Sequence, residues 1–288
     1  MMKEARFWQV TADGVQCLLC PHRCRIREGG RGLCRSRECR NGKLYALSYG
    51  LPCALADDPV EKKPLNRFLP GTRCLSLSCT GCNLSCRWCQ NSDISQVTPE
   101  QAENTRLSPE EIVSICLHRR MPSIAYTYTE PFTWFEYMYD IAVLAHENGL
   151  KNILVSAGYV EKEPLQELLP YLDAANIDIK AMDDALYRKY CGATLAPVLE
   201  NILSMHATGV HVEITNLLVT GLNDSEEQVG ALCRWMMENG LQEVPLHLSR
   251  FFPRYRFQEA GPTPKPTLLK AREVALASGI GSVYLGNI

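Results

Sequence analysis

The sequence predicts an α/β chain: a partial (β/α)6 TIM-like barrel preceded by a small cysteine-rich N-terminal module. Three observations predict it. From residue 73 onward, short β-type runs alternate with helical patterns. Six such runs fit a partial barrel better than a closed eight-stranded one, with an open doubly wound sheet as the main competitor. Residues 1–70 lack the alternation and carry instead a cysteine cluster and the polar link DDPVEKKPLNRFLPG (57–71). The expected division is therefore a module over 1–70 and a barrel over 71–288.

The repeats run in order. RCLSLSC (73–79) is the first strand, followed by the helix SPEEIVSICLHRRM (108–121), where Ser108 is the N-cap and Pro109 the first helical residue. SIAYTY (123–128) precedes a helix over 132–149 that stops at Gly149. KNILVSA (151–157) pairs with EKEPLQELLPYL, and ANIDIK (175–180) with DDALYRKYCG. VHVEITNLLV (210–219) and VPLHLSRF (244–251) flank the helix DSEEQVGALCRWMMENG, which stops at Gly240.

Composition narrows the class. Hydrophobic content of 46% and charged content of 22% are ordinary for a globular protein. A net charge of −2 makes no global case for nucleic acid or a membrane surface, and no uncharged apolar run reaches membrane-spanning length. The opening MMKEARFWQV has no apolar signal-peptide core. A cytoplasmic chain with reduced thiols is expected, in which fourteen cysteines read as metal or redox sites. Cys116, Cys191 and Cys233 lie in apolar helical patterns and read as small buried hydrophobes.

CTGCNLSCRWC (79–89) holds four cysteines. Cys82-x3-Cys86-x2-Cys89 offers three thiolates, enough for three irons of a cubane [4Fe–4S] cluster, leaving the fourth iron open to a small-molecule chelate. A zinc knuckle with a remote fourth ligand is the bland alternative. Cys79 lies on the strand before the loop turns, so it reads as a buried strand-end residue. Upstream, Cys17-x2-Cys20-x3-Cys24-x9-Cys34 supplies four thiolates beside a glycine-rich stretch. Four ligands close a site, which points to structural zinc or a fully ligated auxiliary cluster, with His22 or Cys39 as substitute ligands.

With Trp88 before the last cysteine and the loop directly after the first strand, the segment resembles the radical S-adenosylmethionine (SAM) superfamily, whose signature is CxxxCx(aromatic)C. Further matching text is CLLCPHRCRIREGGRGLCRSR (17–37), DPVEKKPLNRFLPG (58–71), YTEP (128–131), NIDIKAMDDALYRKYCGATLAPVLENI (176–202), HVEITNLLVTGLNDSEEQV (211–229) and HLSRFFPRY (247–255). These stretches resemble the pyruvate formate-lyase-activating-enzyme-like group, and within it the AmmeMemoRadiSam-system branch, named for its association with AMMECR1-type and Memo-type proteins.

The resemblance implies a barrel of the radical SAM type and a [4Fe–4S] cluster on Cys82, Cys86 and Cys89. Reductive cleavage of SAM then gives methionine and a 5′-deoxyadenosyl radical that takes hydrogen from a substrate. It also implies a low-potential electron donor, flavodoxin or ferredoxin, and AMMECR1-type and Memo-type partners. SAM ligands are expected at the carboxyl ends of strands: Trp88 in the loop, Thr129 and Glu130 where related proteins carry GGEP, Ser156, Asp178, Lys180 and His247. Asp178 and Lys180 point the same way and would be costly to bury unpaired; an ion pair is their bland reading, and a helix start is that of Glu130-Pro131. Thr220 and Phe252 depart from the related pattern, proline and histidine being common there, and related chains continue past SVYLGNI. Activation of a glycyl-radical enzyme and a non-catalytic zinc-binding module on a decayed barrel are the competing functions.

Overall fold

In the computed structural model, which describes residues 3–288, residues 3–46 form two small antiparallel sheets. Strands β1 (Lys3–Glu4), β5 (Arg37–Arg40) and β6 (Lys43–Ala46) make one; β2 (Trp8–Thr11), β3 (Gly14–Cys17) and β4 (Arg25–Arg27) make the other. The β5–β6 turn is Asn41-Gly42, at φ 51° and 68°. Positive φ at both positions matches a two-residue primed turn to the twist of its strands.

The second half of the expected module behaves differently. Strand β7 (Pro52–Pro59) pairs antiparallel with β8 (Arg73–Cys79) and so belongs to the main sheet. The parallel strands that follow are β9 (Ser123–Tyr126), β10 (Lys151–Ser156), β11 (Ala174–Asp178), β12 (His211–Leu218), β13 (Leu246–Arg250) and β14 (Val283–Gly286). Helices α1 (Ser92–Ser95) and α2 (Pro109–His118) precede β9, and α3 (Phe135–Glu147) precedes β10. They continue with α4 (Lys162–Leu168), α5 (Asp184–Leu186), α6 (Ala196–Ala207), α7 (Glu226–Glu238) and α8 (Lys265–Ala277). One π turn, Tyr187–Cys191, extends α5.

The strands follow one another from β7 to β14 without reversal. A doubly wound sheet reverses at a switch point, so the barrel reading holds. Because β7 and β14 end the sheet without pairing, the barrel is partial. The six expected parallel strands are all present, and β7 and the α8–β14 unit add to them.

Capping works as the sequence suggests: Glu111 N–H donates to Ser108 Oγ while Ser108 N–H donates to the Glu111 carboxylate. Leu75, Leu77 and Cys79 of β8 pack in the main core. On the inner face Cys74, Ala125, Ile153 and Ala174 form a separate cluster with Val60 and Leu65. Residues 60–71 are thus a plug under the barrel rather than a polar link. The Asn66 and Arg67 amides donate to the buried Glu213 carboxylate at 3.0 and 2.8 Å, and Asn176 Nδ2 donates to the Pro64 carbonyl.

Candidate functional site

The loop after β8 turns at Gly81, φ +100°, where an added Cβ would sit 2.5 Å from the Cys34 carbonyl oxygen. Only glycine combines that conformation with such an approach. The loop is held by backbone bonds from Gly81 to Ile94 and from Ser85 and Arg87 to Cys191 and Tyr190. Those last two bonds lay the π turn alongside the cysteine loop. Cys82, Cys86 and Cys89 share this loop; Cys86 is buried, and the other two are half-buried. The Leu84 N–H donates to Cys82 Sγ, and Cys89 Sγ lies 3.3 Å from Ser95 Oγ.

Cys191, read from sequence as a small hydrophobe, belongs here as well. Its thiol hydrogen-bonds Cys86, which pulls the Cys86 thiol down and pushes Cys191 far up. Burial raises the Cys82 thiol well above its usual value, with the Glu130 carboxylate adding to the shift. Burial works against the charge of Lys180, but Asp178 and the facing Cys86 and Cys191 more than offset it and keep the ammonium protonated. Cys79, in contrast, is wholly buried in the main core. The wide turn after α5 and the bare YCG text gave no spacing signal for Cys191.

The strand-end residues divide into two groups. Tyr128, in the left-handed region at φ 67°, swings the chain out of β9; its hydroxyl meets Asp58 and its ring lies under Lys63 at 4.6 Å. Thr129 Oγ1 turns back into the protein, donating to the Cys79 carbonyl at 2.7 Å and accepting from Trp134 Nε1. Glu130 is fully enclosed and accepts from Ser156 Oγ at 2.7 Å, the Ala157 amide at 2.9 Å and the Phe132 amide at 3.3 Å. Burial nevertheless raises its pKa above the usual carboxylate value. Ser156 and Glu130 are therefore one unit, which ties β9 to β10 and also caps the turn after Glu130.

Asp178 accepts from Lys180 Nζ at 2.8 Å, with both side chains partly exposed beside the loop. Trp88 packs against Tyr190 and Phe257. His247 is the exception. Its Nε2 lies 2.6 Å from Glu213 and its ring stacks on Tyr284 at 5.2 Å, so it is engaged by the carboxylate that anchors the plug.

The four N-terminal cysteines, Cys17, Cys20, Cys24 and Cys34, line one small, mainly apolar cleft together with Leu19, Ile26, Leu33 and Arg37. His22 is instead bonded to the Asn83 carbonyl at 2.7 Å, and Cys39 lies 3.7 Å from Glu28. Among the described residues no three His, Cys, Asp or Glu side chains converge on a point where a single ion could sit. None of the helices is long and apolar enough to cross a membrane.

Comparison with known proteins agrees with this arrangement. The Radical SAM superfamily model matches residues 77–236, from the end of β8 into α7. The "Uncharacterized protein MJ0808" of Methanocaldococcus jannaschii is 46% identical over all of this chain and 86% of its own length. The pyruvate formate-lyase-activating enzyme of Clostridium pasteurianum is 28% identical over 53% of this chain, which spans 64% of that enzyme. Among solved structures, a radical SAM methyltransferase from Sphaerobacter thermophilus superposes with a TM-score of 0.58 at 18% identity, covering 76% of this chain and 67% of that one. A strand-sequential partial barrel with a cysteine loop at the end of its first parallel strand, matched over more than half its length, therefore belongs to the radical SAM superfamily, whose enzymes work with a [4Fe–4S] cluster and S-adenosylmethionine.

Proposed function

We propose that Cys82, Cys86 and Cys89 ligate the SAM-binding cluster and that the chain abstracts hydrogen from a substrate of the AmmeMemo association, with AMMECR1-type and Memo-type proteins as partners. The carrying observation is that the loop following β8 brings Cys82, Cys86 and Cys89 together, with Lys180, just past β11, facing Cys86 and Cys89. That donor set suits the cluster: three soft thiolates supply three corners, while Cys79 is turned into the core. Lys180, partly buried and facing Cys86, places a cation beside the loop and complements an anionic cluster. The resemblance of the AmmeMemo stretches in the sequence supports the association.

When bound, the cluster supplies one electron to SAM and so generates the 5′-deoxyadenosyl radical. The protein binds, orients and shields. Thr129 directs its hydroxyl away from the barrel mouth, which leaves the backbone of the Tyr128–Glu130 segment to meet the methionine end of SAM. Asp178 offers the carboxylate oxygen not held by Lys180 to ribose hydroxyls, and Trp88 walls the adenosine side. Glu130 and Ser156 act as positioning residues that hold this segment against β10. Flavodoxin or ferredoxin is the proposed electron donor.

Anaerobic reconstitution with iron and sulfide, followed by dithionite and SAM, should yield 5′-deoxyadenosine and methionine. Cys82→Ala should abolish the products, whereas Cys79→Ala should retain them. Product formation by Cys82→Ala, or its loss in a folded Cys79→Ala protein, would overturn the ligand assignment. Similarity to the pyruvate formate-lyase-activating enzyme keeps glycyl-radical activation as a second reading, for which a glycyl spin signal in a partner protein is the deciding observation.

A further inference from the structure

We infer that the outer side of the cysteine loop is the docking face for an acidic, flavodoxin-type electron-donor protein, built on Arg87, Lys189, Arg254 and Arg256. The inference rests on the proposed cluster assignment and adds to it the place where the electron enters. Burial alternates along the loop: Ser85 is exposed, Cys86 buried, Arg87 half-buried and Trp88 buried. The thiol and the indole face inward, while the guanidinium of the residue between them faces out. A protein that touches Arg87 therefore touches the backbone that joins Cys86 to Cys89.

Three segments far apart in sequence meet at this face. The Arg87 amide donates to the Tyr190 carbonyl at 3.0 Å, and the Arg256 amide donates to the Arg87 carbonyl at 2.8 Å. These bonds join the cysteine loop to the π turn after α5 and to the segment after β13. Beneath them Trp88, Tyr190 and Phe257 pack on one another, with ring centroids 6.1, 5.9 and 6.0 Å apart. Arg254 and Phe257 close a tight turn by exchanging backbone bonds of 3.3 and 3.2 Å, with Tyr255 left-handed at φ 54°. A bulky residue stays in that region only where its surroundings over-determine it. Here the strained turn fixes two arginines on a rigid aromatic support.

Charge and exposure indicate the partner. Lys189, Arg254 and Arg256 are exposed. Among the described residues none of the four cations is paired with a carboxylate, whereas Arg188 in the same π turn is paired with Asp184 at 2.6 Å. Arg87 and Lys189 lie over the Tyr190 ring at 5.8 and 5.0 Å, and Arg256 over Tyr255 at 4.9 Å. On a chain of net charge −2 this is a local positive field, which steers an acidic partner to one face. Phe252, 41% exposed and two residues before Arg254, adds ring surface for the apolar edge of a flavin. Single-stranded nucleic acid would need open ring faces for stacking, and Trp88, Tyr190 and Phe257 are spent on one another.

The test uses the full chain, reconstituted anaerobically with iron and sulfide. Formation of 5′-deoxyadenosine is measured with two reductants, dithionite and a reduced bacterial flavodoxin of net negative charge. Lys189→Glu/Arg254→Glu/Arg256→Glu should lower the flavodoxin-driven rate at least about tenfold and raise the Kd for flavodoxin by a similar factor. Its dithionite-driven rate should stay within about twofold of wild type. The wild-type flavodoxin-driven rate should fall as salt rises from about 0.05 M to about 0.3 M, and that of the variant should not. Arg119→Glu/Arg120→Glu, at the opposite end of the barrel between α2 and β9, should change none of these readings. Should the triple variant fail to fold, Lys189→Glu alone should show the same selective loss, at least about threefold. An equal loss with both reductants, an equal loss in the Arg119→Glu/Arg120→Glu variant, or an unchanged flavodoxin Kd would each overturn the docking face. So would a short single-stranded RNA that binds more tightly than flavodoxin and is lost in the same triple variant. Absence of product from the wild type with dithionite would count instead against the cluster assignment, and the flavodoxin Kd would still decide the docking face.

Discussion

Tyr128 occupies a backbone region that costs a bulky residue on the order of 1 kcal/mol, and its contacts with Asp58 and Lys63 hold it there. What the strain achieves is the reversal that sends Thr129 back to β8 and Glu130 across to β10. Tyr128→Phe removes the bond to Asp58 and should cost about 1 kcal/mol in urea denaturation. At Lys180 the outcome is electrostatic. Lys180→Met should slow SAM cleavage at least about tenfold, equivalent to about 1.4 kcal/mol, while iron content stays constant; loss of iron instead would make Lys180 a structural residue. The three loop cysteines were legible because their spacing is local and their place after a strand is readable. Cys191 and Arg37 were not, since each meets its partners only through contacts between segments far apart in sequence.

At the level of elements, the regular repeats were read correctly because the central strands are buried and helices such as α2 and α7 carry their own serine caps. Segment 60–71 was misread because its text is polar while its surroundings are not: Asp58, Lys63 and the Asn66 and Arg67 amides find partners only inside the barrel. His247 could not be placed from its text for a related reason, as its strand position is compatible with either the mouth or the Glu213 network, and in the structure it meets Glu213. Burial would raise the pKa of Glu213, but bonds from His211 and His247 and the amides of Asn66 and Arg67 outweigh it and lower the value to about 2. A carboxylate depressed in this way contributes stability above its unfolded pKa, roughly 4.3, and loses it as pH falls through the folded value. Glu213→Gln should therefore be less stable at pH 7 by about 3 kcal/mol. Its urea midpoint should also fall less steeply than that of the wild type between about pH 4 and about pH 2. Parallel slopes would show that other groups control acid unfolding.

Across the whole molecule, the small sheets and the barrel meet at the cysteine loop. Gly81 is the contact that tolerates no side chain: Gly81→Ala brings its Cβ against Cys34 and Ser36 and should cost at least about 2 kcal/mol. Limited proteolysis should then cut within residues 3–46 before the barrel. The division at residue 70 was hard to read because β7 contains two prolines and two aspartates and gains its strand character by pairing with β8. The plug carries a consequence for the order of assembly. Asn66 and its acceptor Glu213 lie 147 residues apart, and chains emerge from the ribosome at about 5–20 residues per second. For several seconds at least, the floor of the barrel exists without the carboxylate that receives it, and Val60 and Leu65 have no finished interior to enter. Sealing of the barrel floor is then a late, long-range folding step. A nascent chain halted before β12 should be recognised by its exposed 60–71 segment.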